Sequence, residues 1–291
     1  MMMRTSKPIL AVGSIALDSL ETIEGNRTEI LGGSSTYFGL AANLFSSVSL
    51  VGVVGDDFPQ KGWDLFSSNN IDTNNIQVKP GKTFRWAGRY NNDYSTRETL
   101  FTNLGVFEKF QPVILEAYKK TDFLFLGNIQ PDLQMNVAKQ MNKAKTIVSD
   151  TMNLWIDLCP DRLWAVVKYV DMFLLNDEEA IQLTNKKNIY DAANQLLENG
   201  PSVVIIKQGG NGALLAYDDV RVQIPVFPID KLIDPTGAGD SFAGGFIGHL
   251  VNHGKDDLIE AVITGAAVAS FTVSGFGIDS LLKADMYSID A

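Results

Sequence analysis

The sequence predicts an α/β fold in which a doubly wound, mostly parallel sheet carries a small separate β-sheet lid. Three observations predict it. Short apolar runs alternate with helical patterns along most of the chain; several of the runs are apolar on both faces; and two polar, β-prone segments interrupt the rhythm. A strand apolar on both faces is covered by helices on both sides, as in a sheet built from βαβ units.

The first run, residues 9–17, follows Arg4 and Lys7 and superficially resembles a short signal peptide, with a strand expected at 9–13. The chain passes into Asp18-Ser19-Leu20-Glu21 without a cleavage site, so the run reads as a buried first strand. Residues 19–31 are polar and β-prone. A helix at 35–45, a strand at 48–53 and a helix at 59–68 follow. Residues 82–103 read as a hairpin: 83–90 alternates, Asn91-Asn92-Asp93 turns, and 99–103 returns. Both polar segments are too hydrophilic for central strands, so about 19–31 and 82–103 are assigned to one lid layer. That layer covers an active site or forms a homodimer surface, the alternative being an ordinary solvent-exposed edge. Strands at 123–126, 146–149, 172–175 and 203–207 then alternate with helices at 132–143, 160–168, 177–183 and 189–198. Residues 1–291 are read as a single domain with the lid segments inserted.

Composition excludes other classes. The apolar fraction of 45% is that of a folded protein, and a lone Cys159 cannot form an internal disulfide. A formal charge of −10 argues against nucleic-acid or anionic-membrane partners. The longest apolar stretch, 261–273, is 13 residues and too short for a membrane span. A cytoplasmic location is expected. Any phosphate site must therefore be built from backbone N–H groups, a metal or a few placed cations.

Residues 232–246 (LIDPTGAGDSFAGGF) carry the chemistry. Small residues at 237–239 allow a tight turn that exposes consecutive N–H groups, and the helix expected from Asp240 to about 251 aims its positive end there. An ionised Asp in that place repels a phosphate. Its fitting task is to take a proton from a hydroxyl attacking that phosphate. The combination reads as phosphoryl transfer to an alcohol. A packing turn capped by the Asp is the plainer alternative.

At these residues the chain resembles the PfkB carbohydrate kinase family, the ribokinase-like kinases, whose motif reads D-x-T-G-A-G-D-x-F. The resemblance implies Asp240 as catalytic base and Gly237, Ala238 and Gly239 as anion hole. It extends along the chain: Asp18 after the first strand implies a ligand for substrate hydroxyls, Gly32-Gly33 a close approach of substrate, and Gly52–Asp57 the following G-x-x-G-x-D element. Asn176 to Glu179 matches N-x-x-E, implying Glu179 as a water-mediated magnesium ligand and Asn176 beside the phosphates. Lys207 to Gly212 stands where relatives have T-L-G-x-x-G, implying nucleotide contacts from Lys207, Gly209 and Gly212. Asp234 and Thr236, with the loop at 275–277, imply a monovalent cation site for potassium.

There are departures. Tyr37 stands where an amide is common, and Lys207-Gln208 replaces Thr-Leu. The lid run Phe84–Tyr90, with Arg85 and Arg89, is rich in aromatics and Arg, suggesting a pocket that stacks on a ring or clamps an anionic group, or a surface that packs at a dimer interface. Tyr37, Trp86, Asn128 and Asp150 are further acceptor-binding candidates. Gly81-Lys82-Thr83 imitates a Walker A ending without its earlier glycine and is rejected. His249 and His253, four apart, are read as capping or surface groups rather than metal ligands. The expected activity is an ATP- and magnesium-dependent kinase acting on a hydroxyl of a sugar, polyol or sugar-like small molecule. A nucleoside kinase of the same fold is the alternative, and a non-catalytic ligand-binding protein a weaker one.

Overall fold

A computed structural model describes residues 5–94, 96–141 and 144–285. The expectations at Arg4 and at the end of the 132–143 helix (Asn142, Lys143) lie outside the described residues. The first half runs β1 (Thr5–Val12), β2 (Ala16–Thr22), β3 (Gly25–Gly32), α1 (Ser34–Ala42), β4 (Ser46–Gly55), α2 (Gln60–Ser68) and β5 (Asp72–Lys79). Then come β6 (Phe84–Tyr90), β7 (Arg97–Asn103), β8 (Phe123–Leu126), α3 (Pro131–Gln140), β9 (Thr146–Ser149), α4 (Asn153–Leu158) and α5 (Pro160–Val167). The last part holds β10 (Met172–Asn176), α6 (Asp177–Thr184), α7 (Ile189–Leu197), β11 (Val203–Lys207), β12 (Ala213–Tyr217), β13 (Val220–Ile224), α8 (Ala238–His253) and α9 (Leu258–Val273).

One sheet runs β13-β12-β11-β10-β9-β8-β1-β4-β5, parallel from β11 to β5 with an antiparallel pair, β12 and β13, closing one edge. The twofold period of each strand divides two cores. Ile9 and Ala11 of β1, Phe123 and Phe125 of β8 and Val203 and Ile205 of β11 pack with α1, α8 and α9. Leu10 and Val12, Leu124 and Leu126, and Val204 and Ile206 pack with α3, α5, α6 and α7 on the other face.

Helix α8 is apolar over its middle turns because it lies between other helices. A Cβ on Gly244 would fall 2.6 Å from the Ala41 Cβ of α1, and one on Gly245 would fall 3.0 Å from the Gly265 backbone of α9. Adding a methyl at either place overpacks the layer, at about 1–3 kcal/mol. The apolar 261–273 stretch is explained in the same way, as the C-terminal part of α9 in this layer. Among the described residues no helix is long and apolar enough to cross a membrane.

The lid is a second sheet in the order β3-β2-β6-β7, antiparallel except for the parallel pair β2–β6. It starts at Ala16, three residues before the expected segment, because Ala16 already pairs with Gly32 and Phe84. The hairpin connection is longer than the expected Asn91-Asn92-Asp93 turn. Asn91 N–H donates to the Thr96 carbonyl at 3.2 Å, and Thr96 N–H to Asn91 Oδ1 at 3.1 Å, with residue 95 outside the described set. Strands β5, β12 and β13 and helices α4 and α9 were not among the expected elements. β5 and β13 are edge strands whose half-solvated sequences (DTNNIQVK and VRVQI) lack a continuous apolar face.

Candidate active site

The parallel strands end on one side of the sheet, and residues at or just past their ends line a cavity of about 1050 Å³: Asn128, Asp150, Asn176 and Lys207. This is where an open α/β sheet places its ligands. The turn ahead of α8 forms one wall. Asp234 is fully buried, and both its oxygens are taken: Oδ1 accepts the Thr236 N–H and Oδ2 the Gly277 N–H, each at 2.9 Å. Those bonds tie the turn to the 275–277 loop. Thr236 gives its hydroxyl to a bond with Tyr90 Oη at 2.9 Å.

Gly237 has φ of 77°, and a Cβ there would sit 2.3 Å from the Tyr37 ring, so only glycine fits the turn. Tyr37 is 1% exposed and does not line the cavity. The expectation that it binds the acceptor is therefore corrected: its ring packs against the turn at Gly237. The expected anion hole is corrected at one member, since Ala238 N–H bonds back to the Pro235 carbonyl at 3.2 Å. The Gly239 and Asp240 amides, in the first turn of α8, precede the helix's own carbonyls and make no intrahelical bond.

Asp240 is half-buried where acceptor and nucleotide sides meet. Burial and the neighbouring Asp150 charge push its carboxyl up to about 7, against the opposing pull of Lys207; Asp18 adds to the rise. Asp150 was expected on the acceptor side. It is instead the partner of Lys207, whose Nζ donates to Asp150 Oδ2 at 2.6 Å, while Oδ1 accepts the Thr151 N–H at 2.9 Å. Asn176 and Glu179 form a capping box for α6: Asn176 Oδ1 accepts the Glu179 N–H at 2.7 Å and Glu179 Oε2 the Asn176 N–H at 2.8 Å. Burial and then Asp150 push Glu179 up to about 7. Gly209 and Gly212 line the cavity at φ of 51° and 87°. Asn128 lines it too and accepts the Trp155 indole N–H at 2.8 Å.

On the acceptor side, Asp18 is buried and accepts the Gly33 N–H, and its Oδ2 lies 1.9 Å from where a Gly32 Cβ would be. Burial pushes its carboxyl up to about 7, against the Gly33 bond. Register sets Trp86 beside Asp18 on the same face of the lid. Trp86 itself is not part of the cavity wall; its ring carries the Arg97 guanidinium 5.1 Å from the centroid, and its Nε1–H donates to Thr99 Oγ1 at 3.4 Å.

The expected anion clamp of Arg85 and Arg89 is corrected. Arg85 pairs with Asp57 and Glu29, and Arg89 with Glu21 and Glu98, on the other face of the lid. Arg97 is the lid cation that does line the cavity. It escaped notice because it precedes the expected 99–103 strand; its pairing opposite Tyr90 in the hairpin is the signal that finds it. His249 uses both ring nitrogens, Nε2 with Asp257 at 2.9 Å and Nδ1 with Thr264 at 3.0 Å, which fits the structural reading.

Open helix-terminal amides, a carboxylate beside them and a lid above define a phosphotransferase on an α/β sheet. A model of the pfkB family carbohydrate kinases matches residues 16–284, and the chain belongs to that family. It is 30% identical over 246 residues to a cytidine kinase of Thermococcus kodakarensis, covering 82% of this chain and 87% of the relative. It is 24% identical over 282 residues to a nucleoside kinase of Methanocaldococcus jannaschii, covering 92% and 91%. The fold matches the Burkholderia thailandensis nucleoside kinase in complex with inosine with a TM-score of 0.83 at 20% identity, over 97% of this chain and 96% of that one.

Proposed function

We propose that the chain is an ATP- and magnesium-dependent kinase that phosphorylates a hydroxyl of a nucleoside or a similar ribosyl compound. One observation carries the chemistry: Asp240 stands in the first turn of α8, within electrostatic reach of both Asp18 and the Asp150–Lys207 pair. It takes the proton of the acceptor hydroxyl while the Gly239 and Asp240 amides hold oxygens of the transferred phosphoryl group. Asp18 and the Gly33 backbone orient the acceptor. The nucleotide lies along Asn176, Lys207, Gly209 and Gly212, its base against an apolar wall that includes Val226, Phe227 and Val273.

The donor set suits magnesium. Magnesium takes one or two carboxylates together with phosphate oxygens and waters, and Glu179 has Oε1 outside the capping box with the Asp150 charge close by. When bound it would neutralise charge on the phosphate oxygens. Glu179 would hold it through water.

Two observations support a nucleoside over the free sugar that the sequence first suggests. Relatives over most of the chain include a cytidine kinase, at 30% identity, and a nucleoside kinase. The lid presents Tyr90, Trp86 and Arg97 on the face that bears Asp18, a surface suited to a flat base with hydrogen-bond acceptors. The test compares kcat/KM for cytidine, adenosine, inosine and guanosine with ribose, fructose and inositol under the same ATP and magnesium. A nucleoside preference of about a hundredfold, equivalent to ~2.7 kcal/mol, is expected. A sugar preferred by the same margin overturns the reading.

A further inference from the structure

Lys207 departs from the family pattern, which has Thr at this position, and the structure gives the departure a place. Its side chain is 17% exposed at the end of β11, and its Nζ lies 3.0 Å from where a Gly239 Cβ would be. A side chain at 239 would crowd the ammonium that lies over the first turn of α8. Three carboxylates act on it: Asp150, Glu179 and Asp240. Burial lowers the Lys207 pKa, but these charges outweigh it and keep the amine protonated. A pocket with that much negative charge repels a polyphosphate unless a fixed cation stands among the carboxylates.

We propose that Lys207 is the cation that holds the terminal phosphoryl group against the start of α8, and that Asp150 holds its ammonium when no phosphate is present. This rests on the kinase reading above. The lysine stem has rotatable bonds enough to turn Nζ from Asp150 Oδ2 to a phosphate oxygen without moving β11. In the transfer, the bond from the terminal phosphorus to the bridging oxygen of ADP breaks. A bond from the acceptor oxygen to that phosphorus forms, and the hydroxyl proton passes to Asp240. Lys207 keeps its proton throughout and offsets negative charge on the transferring oxygens.

The experiment measures binding of ATP and AMP by calorimetry without metal, and turnover with magnesium, for the wild type, Lys207→Met, Asp150→Asn and the double variant. Lys207→Met alone leaves a buried carboxylate unpaired and can fail to fold; the double variant removes both charges together. In the double variant, ATP affinity is expected to fall about tenfold or more while AMP affinity stays within about threefold, since AMP lacks the terminal phosphates. Turnover is expected to fall about a hundredfold with the acceptor KM little changed. Asp150→Asn frees the ammonium and is expected to bind metal-free ATP at least as tightly as the wild type.

A double variant that keeps its ATP-to-AMP ratio and its turnover makes Lys207 a mere neutraliser of Asp150 and overturns the proposal. A tenfold loss of ATP affinity in Asp150→Asn alone, on the order of 1.4 kcal/mol, overturns the role given to Asp150. Wild-type protein that binds no ATP at all counts against the kinase reading instead.

Discussion

Tyr90 of the lid strand and Thr236 of the turn ahead of α8 meet hydroxyl to hydroxyl at 2.9 Å. Four residues on, the Tyr94 hydroxyl donates to the Ile233 carbonyl, also at 2.9 Å. The lid is thereby latched onto the turn ahead of α8 at two points; under the kinase reading a closed lid keeps water from the transferred group.

Tyr90→Phe removes one half of that latch at a cost of about 1 kcal/mol. The expected outcome is a several-fold rise in acceptor KM and a measurable rise in ATP hydrolysis without acceptor. If neither quantity moves, the contact is incidental to closure.

Asp240→Asn should lower turnover by ~10²–10⁴ while ATP affinity is kept, as for a positioned general base. It should also change stability in a defined direction. Because the Asp240 carboxyl is pushed up to about 7, the folded state favours its protonated form. The stabilisation is full below the unfolded pKa of about 4 and is lost as pH rises towards 7. The variant should therefore melt higher than the wild type at pH 8, with the gap closing towards pH 4. A variant that melts lower at pH 8 contradicts this.

Asp57, just past β4, holds the start of lid strand β6. It accepts the Thr83 N–H at 2.7 Å, the Thr83 hydroxyl at 2.9 Å and Arg85 at 2.8 Å. Burial raises its pKa, but these donors outweigh it and bring the carboxyl down to about 2. Asp57→Asn should cost about 1–3 kcal/mol near neutral pH. Its contribution is present above the unfolded pKa near 4 and lost as pH falls towards 2. Denaturant melts at pH 7 and pH 3, with amide exchange across β6, check it: the difference from wild type should shrink at pH 3.

Trp86→Ala removes the ring beneath Arg97, and Arg97→Met removes the charge itself. Both should raise the nucleoside KM about tenfold with the ATP KM within about twofold. A rise for Trp86→Ala alone would show that the indole touches the acceptor directly and that Arg97 is a bystander.

Residue order alone determined the features whose physics is local. Strands 123–126, 146–149 and 203–207 have the bounds that their apolar runs imply, because a strand covered by helices on both sides is apolar on both faces and stops where the run stops. The turn at Gly237 and the helix after it follow from small residues that permit a positive φ and from the apolar run behind them. Tertiary structure alone decided the partners. Lys207 and Asp150 are 57 residues apart and meet only because the sheet order sets β9, β10 and β11 side by side. Tyr37 came to pack against Gly237 because α1 packs against α8, and Arg97 rather than Arg85 or Arg89 reached the cavity because hairpin register set its face. Side-chain period and backbone conformation are written within a few residues, whereas which distant side chains share a pocket depends on sheet order and register, which no short stretch of sequence encodes.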